Sequence, residues 1–131
     1  MQLVLQLVLQ DNLPFITVVV GYNESIVEVS NVLIDTGSAS SIFATDIVDA
    51  LQIVPLPQDT LHVIRGIGGT EVVFKRCVDF IQVDDFSLTN FEIEVGGMDY
   101  GFEIIGILGM DFLISSGAII NLKVMHFHLN S

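Results

Sequence analysis

Positive charge is scarce in this chain. Lys and Arg number 4 against 16 Asp and Glu, a formal net charge of -12 over 131 residues. So acidic a surface repels a phosphate backbone and excludes nucleic acid as a partner. Cysteine is nearly absent. Cys77 stands alone, so no internal disulfide can form, which fits a reducing compartment. Cys77 itself is expected as a small core hydrophobe. No apolar run reaches the roughly 18 residues that a membrane-spanning helix needs. The apolar N-terminal stretch is broken by Gln2, Gln6 and Gln10, then by Asp11, Asn12 and Pro14, and it lacks the basic flank of a signal peptide. These absences together predict a cytoplasmic chain with no membrane partner. Also missing are a Pro/Gly/Ser linker, a charge block and a long-period repeat, so residues 1–131 are expected to be one domain.

What is abundant is apolar surface. Hydrophobic residues make up 51% and charged residues 15%, which excludes a disordered chain. The mean hydropathy of +0.70 is high for a chain outside the membrane. A monomer of this size buries only about two-thirds of its unfolded surface, so part of the excess calls for a second covering surface. Short β-rich runs separated by Gly and Asn turns predict a mostly β domain. Leu3 to Leu9 is expected as one strand with Leu3, Leu5, Leu7 and Leu9 on one face. Phe15 to Val20 and Ser25 to Ser30 form a hairpin around Gly21-Tyr22-Asn23-Glu24, and Val32-Leu33-Ile34 is a strand buried on both faces. His62 to Phe74 is a hairpin with a Gly-rich tip. Phe91, Ile93 and Val95 alternate with Glu92 and Glu94. Ile104 to Leu108 is another apolar strand, and Ala118 to Leu129 supplies one or two more. Two short helices are expected, Thr45 to Leu51 with Thr45 as N-cap and Asp111 to Ser116 stopped by Gly117.

The sharpest chemical feature is Val32-Leu33-Ile34-Asp35-Thr36-Gly37-Ser38. A carboxylate directly after a buried strand needs donors or a shared proton. The plain reading is an Asp whose side chain closes a turn. Two more segments alter its context. Val63-Ile64-Arg65-Gly66-Ile67-Gly68-Gly69-Thr70 is a glycine-rich hairpin, and Ile105-Gly106-Ile107-Leu108-Gly109-Met110-Asp111-Phe112-Leu113 is a hydrophobic segment with a Gly before a helix. The first is no phosphate loop, because the Lys-Ser/Thr that should follow is missing.

Taken in order, these three segments resemble the active-site loop, flap and second signature of the retropepsin-like (retroviral-type) aspartic proteases. The resemblance runs from Phe15 to about Leu129. It implies an all-β acid-protease fold, a closed β-barrel with one or two short helices, assembling as a two-fold homodimer. It implies an aspartic endopeptidase without metal or cofactor. Peptide hydrolysis in this family uses two Asp side chains about 3 Å apart that share one proton, one serving as base and the other as acid. This chain has one Asp-Thr-Gly and no Asp-Ser-Gly, so the second Asp35 would come from a second copy.

The resemblance also assigns roles. Asp35 would activate the attacking water, Thr36 would hydrogen-bond across the axis, and Gly37 would offer its N–H to Asp35. Ser38 would bond the outer Asp35 oxygen. Arg65, Gly66, Ile67, Gly68 and Gly69 would form the flap over a peptide bound as an extended strand. Ile107 and Leu108 would pack against the Asp35 loop. Family members often carry an Arg where this chain has Met110, so the charged network built on that Arg is absent or replaced. Asp111 is expected to cap the helix. His126 and His128 share one face of the last strand, where a solvent-facing or interface position is expected. The alternative function is a non-catalytic dimerisation or peptide-binding module on the same fold.

Overall fold

Apolar alternation and tight polar turns produce long hairpins in this chain. The computed structural model describes residues 2–66, 69–96 and 104–130, with backbone alone for residues 2, 62–66 and 69–72. Strands β1 (Gln2–Gln6), β2 (Val8–Gln10), β3 (Leu13–Tyr22), β4 (Ser25–Ile34) and β5 (Ile42–Phe43) precede helix α1 (Thr45–Ala50). Strands β6 (His62–Gly66), β7 (Gly69–Val83), β8 (Phe86–Val95) and β9 (Gly106–Leu108) follow. Helix α2 (Met110–Ser115), β10 (Ile119–Asn121) and β11 (His126–Asn130) complete the order.

Strands β3, β4, β9, β5, β8 and β7 neighbour one another in that sequence, and β7 pairs back with β3. Six strands therefore close into a barrel. The closure is antiparallel, with Val20 opposite Ile81. Closure removes the free edges that a mostly β chain must otherwise protect. The β3–β4 turn is narrower than the sequence suggested. Asn23 and Glu24 both have positive φ, 45° and 71°, as a two-residue primed turn requires. Gly21 stays in the strand, and the Phe80 ring occupies the space its side chain would fill. Val18, Val20, Val32, Phe43, Ile81, Phe112 and Phe127 form the deepest part of the core. Among the described residues, no helix is long and apolar enough to cross a membrane.

Four local expectations are corrected. The N-terminal strand is two strands, because the chain breaks at the buried Leu7, whose N–H bonds the Met125 carbonyl at 2.7 Å. Strand β1 then joins β11 and β10 in a separate three-stranded sheet, while β2 joins the barrel, and Leu9 is exposed. Cys77 is exposed. Its neighbour Val78 points into the core, and strand alternation sends Cys77 outward. The α1 N-cap is Ala44 rather than Thr45, and it makes no side-chain cap. Ala44 is still held by the barrel, its N–H bonding the Ile105 carbonyl at 3.0 Å. Asp111 is the fourth, treated with the site below.

One of the few cations is committed to the framework. The Arg76 guanidinium meets Asp59 at 2.6 Å, with both side chains about nine-tenths covered (11% and 10% exposed). It also donates to the Tyr22 hydroxyl and the Val54 carbonyl and lies over the Tyr22 and Phe74 rings. Burial alone would lower its pKa, but the hydrogen bonds with Tyr22 and Asp59 outweigh that and raise it. A charge this well partnered fixes the 54–59 loop to β7 just ahead of the β6–β7 hairpin.

Candidate active site

Asp35 stands where a buried strand runs out. Val32, Leu33 and Ile34 pair in parallel with Gly106, Ile107 and Leu108, all buried except for a trace of surface. The ladder ends with the Asp35 N–H on the Leu108 carbonyl at 3.0 Å. The chain then turns. The Gly37 N–H donates to Asp35 Oδ1 at 2.9 Å, and the Ser38 N–H reaches the Asp35 carbonyl at 3.3 Å. Asp35 is half-buried, while Thr36 and Gly37 are exposed. The result is a rigidly based carboxylate with one oxygen held by a backbone donor, at the rim of the barrel. Such a group can accept a proton from a water or share one with a second carboxylate.

Ser38 is placed differently from its expected role. Its hydroxyl donates to the Ser40 carbonyl at 2.7 Å, closing the loop on itself. Ile107 and Leu108 sit as expected, fully buried beside the Asp35 strand. In the glycine-rich hairpin, Arg65 faces Thr70 and Gly66 faces Gly69 across the ladder. Ile67 and Gly68 lie outside the described residues. Among the described residues no group of three or more metal-ligating side chains occurs. His126 and His128 are half-buried with ring centroids 6.0 Å apart.

The part of the site that sequence reasoning missed is a tether between the loop and α2. Ser41 is fully buried. Its hydroxyl donates to Asp111 Oδ1 at 2.7 Å, and its N–H donates to Asp111 Oδ2 at 3.1 Å. The same hydroxyl accepts the Gly109 N–H at 3.0 Å. Asp111 Oδ1 also takes the Phe112 N–H at 2.7 Å. Returning in the other direction, the Met110 and Asp111 N–H groups bond the Ser38 and Ala39 carbonyls at 2.7 and 3.2 Å. Asp111 is thus no N-cap. That position belongs to Gly109, which makes no side-chain cap. The carboxylate instead spans from α2 to the loop, so in a chain with Met110 at the Arg position Ser41 and Asp111 make a tie between the loop and α2. The signal in the sequence was a small hydroxyl and a carboxylate near two motifs, but nothing in their spacing joined them.

Removing this tether has a defined cost. Asp111→Ala strands the buried Ser41 hydroxyl without its acceptor, a penalty of about 2 kcal/mol, or roughly 7 °C in Tm for a chain of this size. Asp111→Asn keeps an oxygen for one of the two Ser41 donors and should lose clearly less. Calorimetry on the two variants decides, and equal losses would show that the carboxylate geometry is immaterial.

The aspartyl protease family matches residues 17–112 of this chain. No curated protein sequence matches it. Among solved structures, a retropepsin-like aspartic protease from Rickettsia conorii aligns with a TM-score of 0.70 at 18% identity, covering 98% of each chain. At that identity the likeness speaks for the fold, and the family match speaks for descent. The chain therefore belongs to the aspartyl protease family and has the retropepsin-like all-β barrel with two short helices.

Proposed function

We propose that this protein is an aspartic endopeptidase that works as a homodimer, each chain contributing one Asp35 to a two-carboxylate site. The observation that carries the reading is Asp35 at the end of β4, its Oδ1 fixed by the Gly37 N–H in an otherwise exposed turn. One such carboxylate is half of the required chemistry. The sequence holds one Asp-Thr-Gly, so a second copy completes the pair.

In this reading one Asp35 takes a proton from water as the water oxygen bonds the scissile carbonyl carbon. The other Asp35 gives its proton to the carbonyl oxygen, producing a neutral tetrahedral diol. A proton then passes to the amide nitrogen, the C–N bond breaks and the two carboxyls regain their shared proton. Thr36 of each chain holds the two loops together across the axis. Ser38 and the 65–69 hairpin (Arg65, Gly66, Ile67, Gly68 and Gly69) bind the peptide as an added strand. The site needs no metal or cofactor for these steps. An exposed, unpaired Cys77 suits a reducing compartment and supports a cytoplasmic location.

The stoichiometry of inhibition tests this directly. A peptide with a hydroxyl-bearing tetrahedral centre in place of its scissile bond mimics the diol. Titrated against a cleaved peptide substrate, it should abolish activity at one inhibitor per two chains. One inhibitor per chain would overturn the shared site. A peptide that binds and remains intact through days at several pH values would favour the non-catalytic module.

A further inference from the structure

We infer that Asp59 and Arg76 are positioning residues: their ion pair anchors the first leg of the peptide-binding hairpin and so sets how tightly a peptide is held. The inference rests on the peptide-binding role proposed above for the 65–69 hairpin and names what keeps that hairpin in place.

The two legs of the hairpin are supported unequally. The second leg is the start of β7, whose later residues pair with β8 from Phe74 opposite Val95 to Val83 opposite Phe86. That leg is therefore continuous with the barrel. The first leg, β6, lies at the end of the strand order. Among the described residues it pairs with β7 alone, from His62 opposite Val73 to Gly66 opposite Gly69. A short two-stranded ribbon is marginally stable by itself, so the position of β6 depends on what holds the chain just before it.

That stretch has little hydrophobic hold. Ile53 is buried and His62 opens β6; of residues 54–61 between them, Asp59 is the one that is not exposed. Val54 and Leu61 are each 57% exposed, so apolar burial contributes little there. The polar contacts converge on one group. Asp59 Oδ2 meets Arg76 Nη2 at 2.6 Å, and the Val54 carbonyl accepts from the same nitrogen at 3.1 Å. Asp59 also closes its own turn, taking the Leu56 N–H on Oδ2 at 2.6 Å and donating its N–H to the Leu56 carbonyl at 3.0 Å. The guanidinium is held in turn by the barrel. It donates to the Tyr22 hydroxyl of β3 at 3.0 Å, and Arg76 lies opposite Ile93 of β8. Asp59 is three residues ahead of His62, a reach of about 10 Å at most. Fixing Asp59 to the barrel therefore fixes where β6 begins.

Asp59→Asn tests the anchor. It keeps a side-chain oxygen for the Leu56 N–H but leaves the covered guanidinium without its counter-charge, so the 54–61 segment should come away from β7. Hydrogen exchange of the amides in the β6–β7 ladder should then quicken about tenfold, with the β3–β4 amides unchanged. The hairpin holds the peptide away from the reacting bond, so KM should rise about tenfold while kcat stays within about twofold. Asp59→Glu, which restores the charge, should recover most of the lost affinity. Tyr22→Phe removes one hydroxyl and leaves the ion pair, and it should quicken the same amides about threefold; it decides the matter if Asp59→Asn does not fold. Exchange that quickens equally in both hairpins would make the pair a general stabiliser and overturn the inference. Unchanged exchange, or a fall in kcat at constant KM, would overturn it too. The exchange measurement needs no turnover. If the wild type cleaves no peptide, the protease reading fails, while the anchor is still judged by the β6–β7 amides.

Discussion

Asp35→Asn is expected to lower peptide cleavage by roughly 1,000-fold or more, about 4 kcal/mol in the barrier. The substitution is nearly isosteric. Asn retains a side-chain oxygen at the place where the Gly37 N–H donates to Asp35 Oδ1, so the turn has its donor satisfied and the loop its shape. What disappears is a group able to take a proton from water. The variant should therefore fold, dimerise and bind the tetrahedral mimic, which separates chemistry from assembly. Mixing gives a stricter test. If each site holds one Asp35 from each chain, an equal mixture of wild type and variant that has exchanged subunits keeps about one quarter of the original activity. A linear fall to one half would mean that each chain works alone. Cleavage at the wild-type rate by the purified variant would remove Asp35 from the mechanism altogether.

Gly109→Ala should damage stability and activity together. A Cβ at position 109 would run into the Ser40 carbonyl oxygen and meet the Ser38 carbonyl oxygen at 2.7 Å. Both are backbone atoms, so no side-chain rotation relieves the contact. Both also belong to the loop that follows Asp35, and the Ser38 carbonyl already accepts the Met110 N–H. The loop must move away from α2, breaking that bond and loosening the Ser41–Asp111 tether. Overpacking at such a site costs about 3 kcal/mol, or roughly 10 °C in Tm. Activity should fall even at temperatures where the variant remains folded, because the proposed site needs the Asp35 carboxylate held to within a fraction of an ångström. Thermal unfolding and a cleavage assay at low temperature decide it. Unchanged values of both would mean that the loop has slack the distances do not show.

The elements legible in the sequence were those whose cause is local. Alternation of Phe91, Ile93 and Val95 with acidic neighbours marked the second half of β8, and turns with Asn or Gly marked the β3–β4 and β6–β7 hairpins, while the β7–β8 turn at Asp84-Asp85 went unread. Gly117, at φ 61°, marked the end of α2. The Asp35 loop was legible through its motif, and the Gly37 N–H bond to its carboxylate was expected. What could not be read depends on distant partners. Ser41 and Asp111 are joined across 70 positions. The break at Leu7 is set by a carbonyl at Met125. Strand β9 enters in parallel beside β4, and no pattern within Gly106 to Leu108 names that neighbour. Cys77 was misread because its polarity says little about which face of a strand it takes, whereas Val78 beside it decides.

The place of β9 between β4 and β5 has a consequence for the time at which this protein can act. A ribosome adds about 5–20 residues per second, and β4 is complete long before Leu108 is made. Until then Val32 to Ile34 have β3 on one side and nothing on the other. The Asp35 N–H lacks the Leu108 carbonyl that anchors it, and Ser41 lacks both Gly109 and Asp111. The loop that carries the carboxylate is thus finished only after Asp111 has been synthesised. A nascent chain that stops short of Leu108 has the Asp-Thr-Gly but not its geometry, and under the proposed function it could not yet cut a peptide.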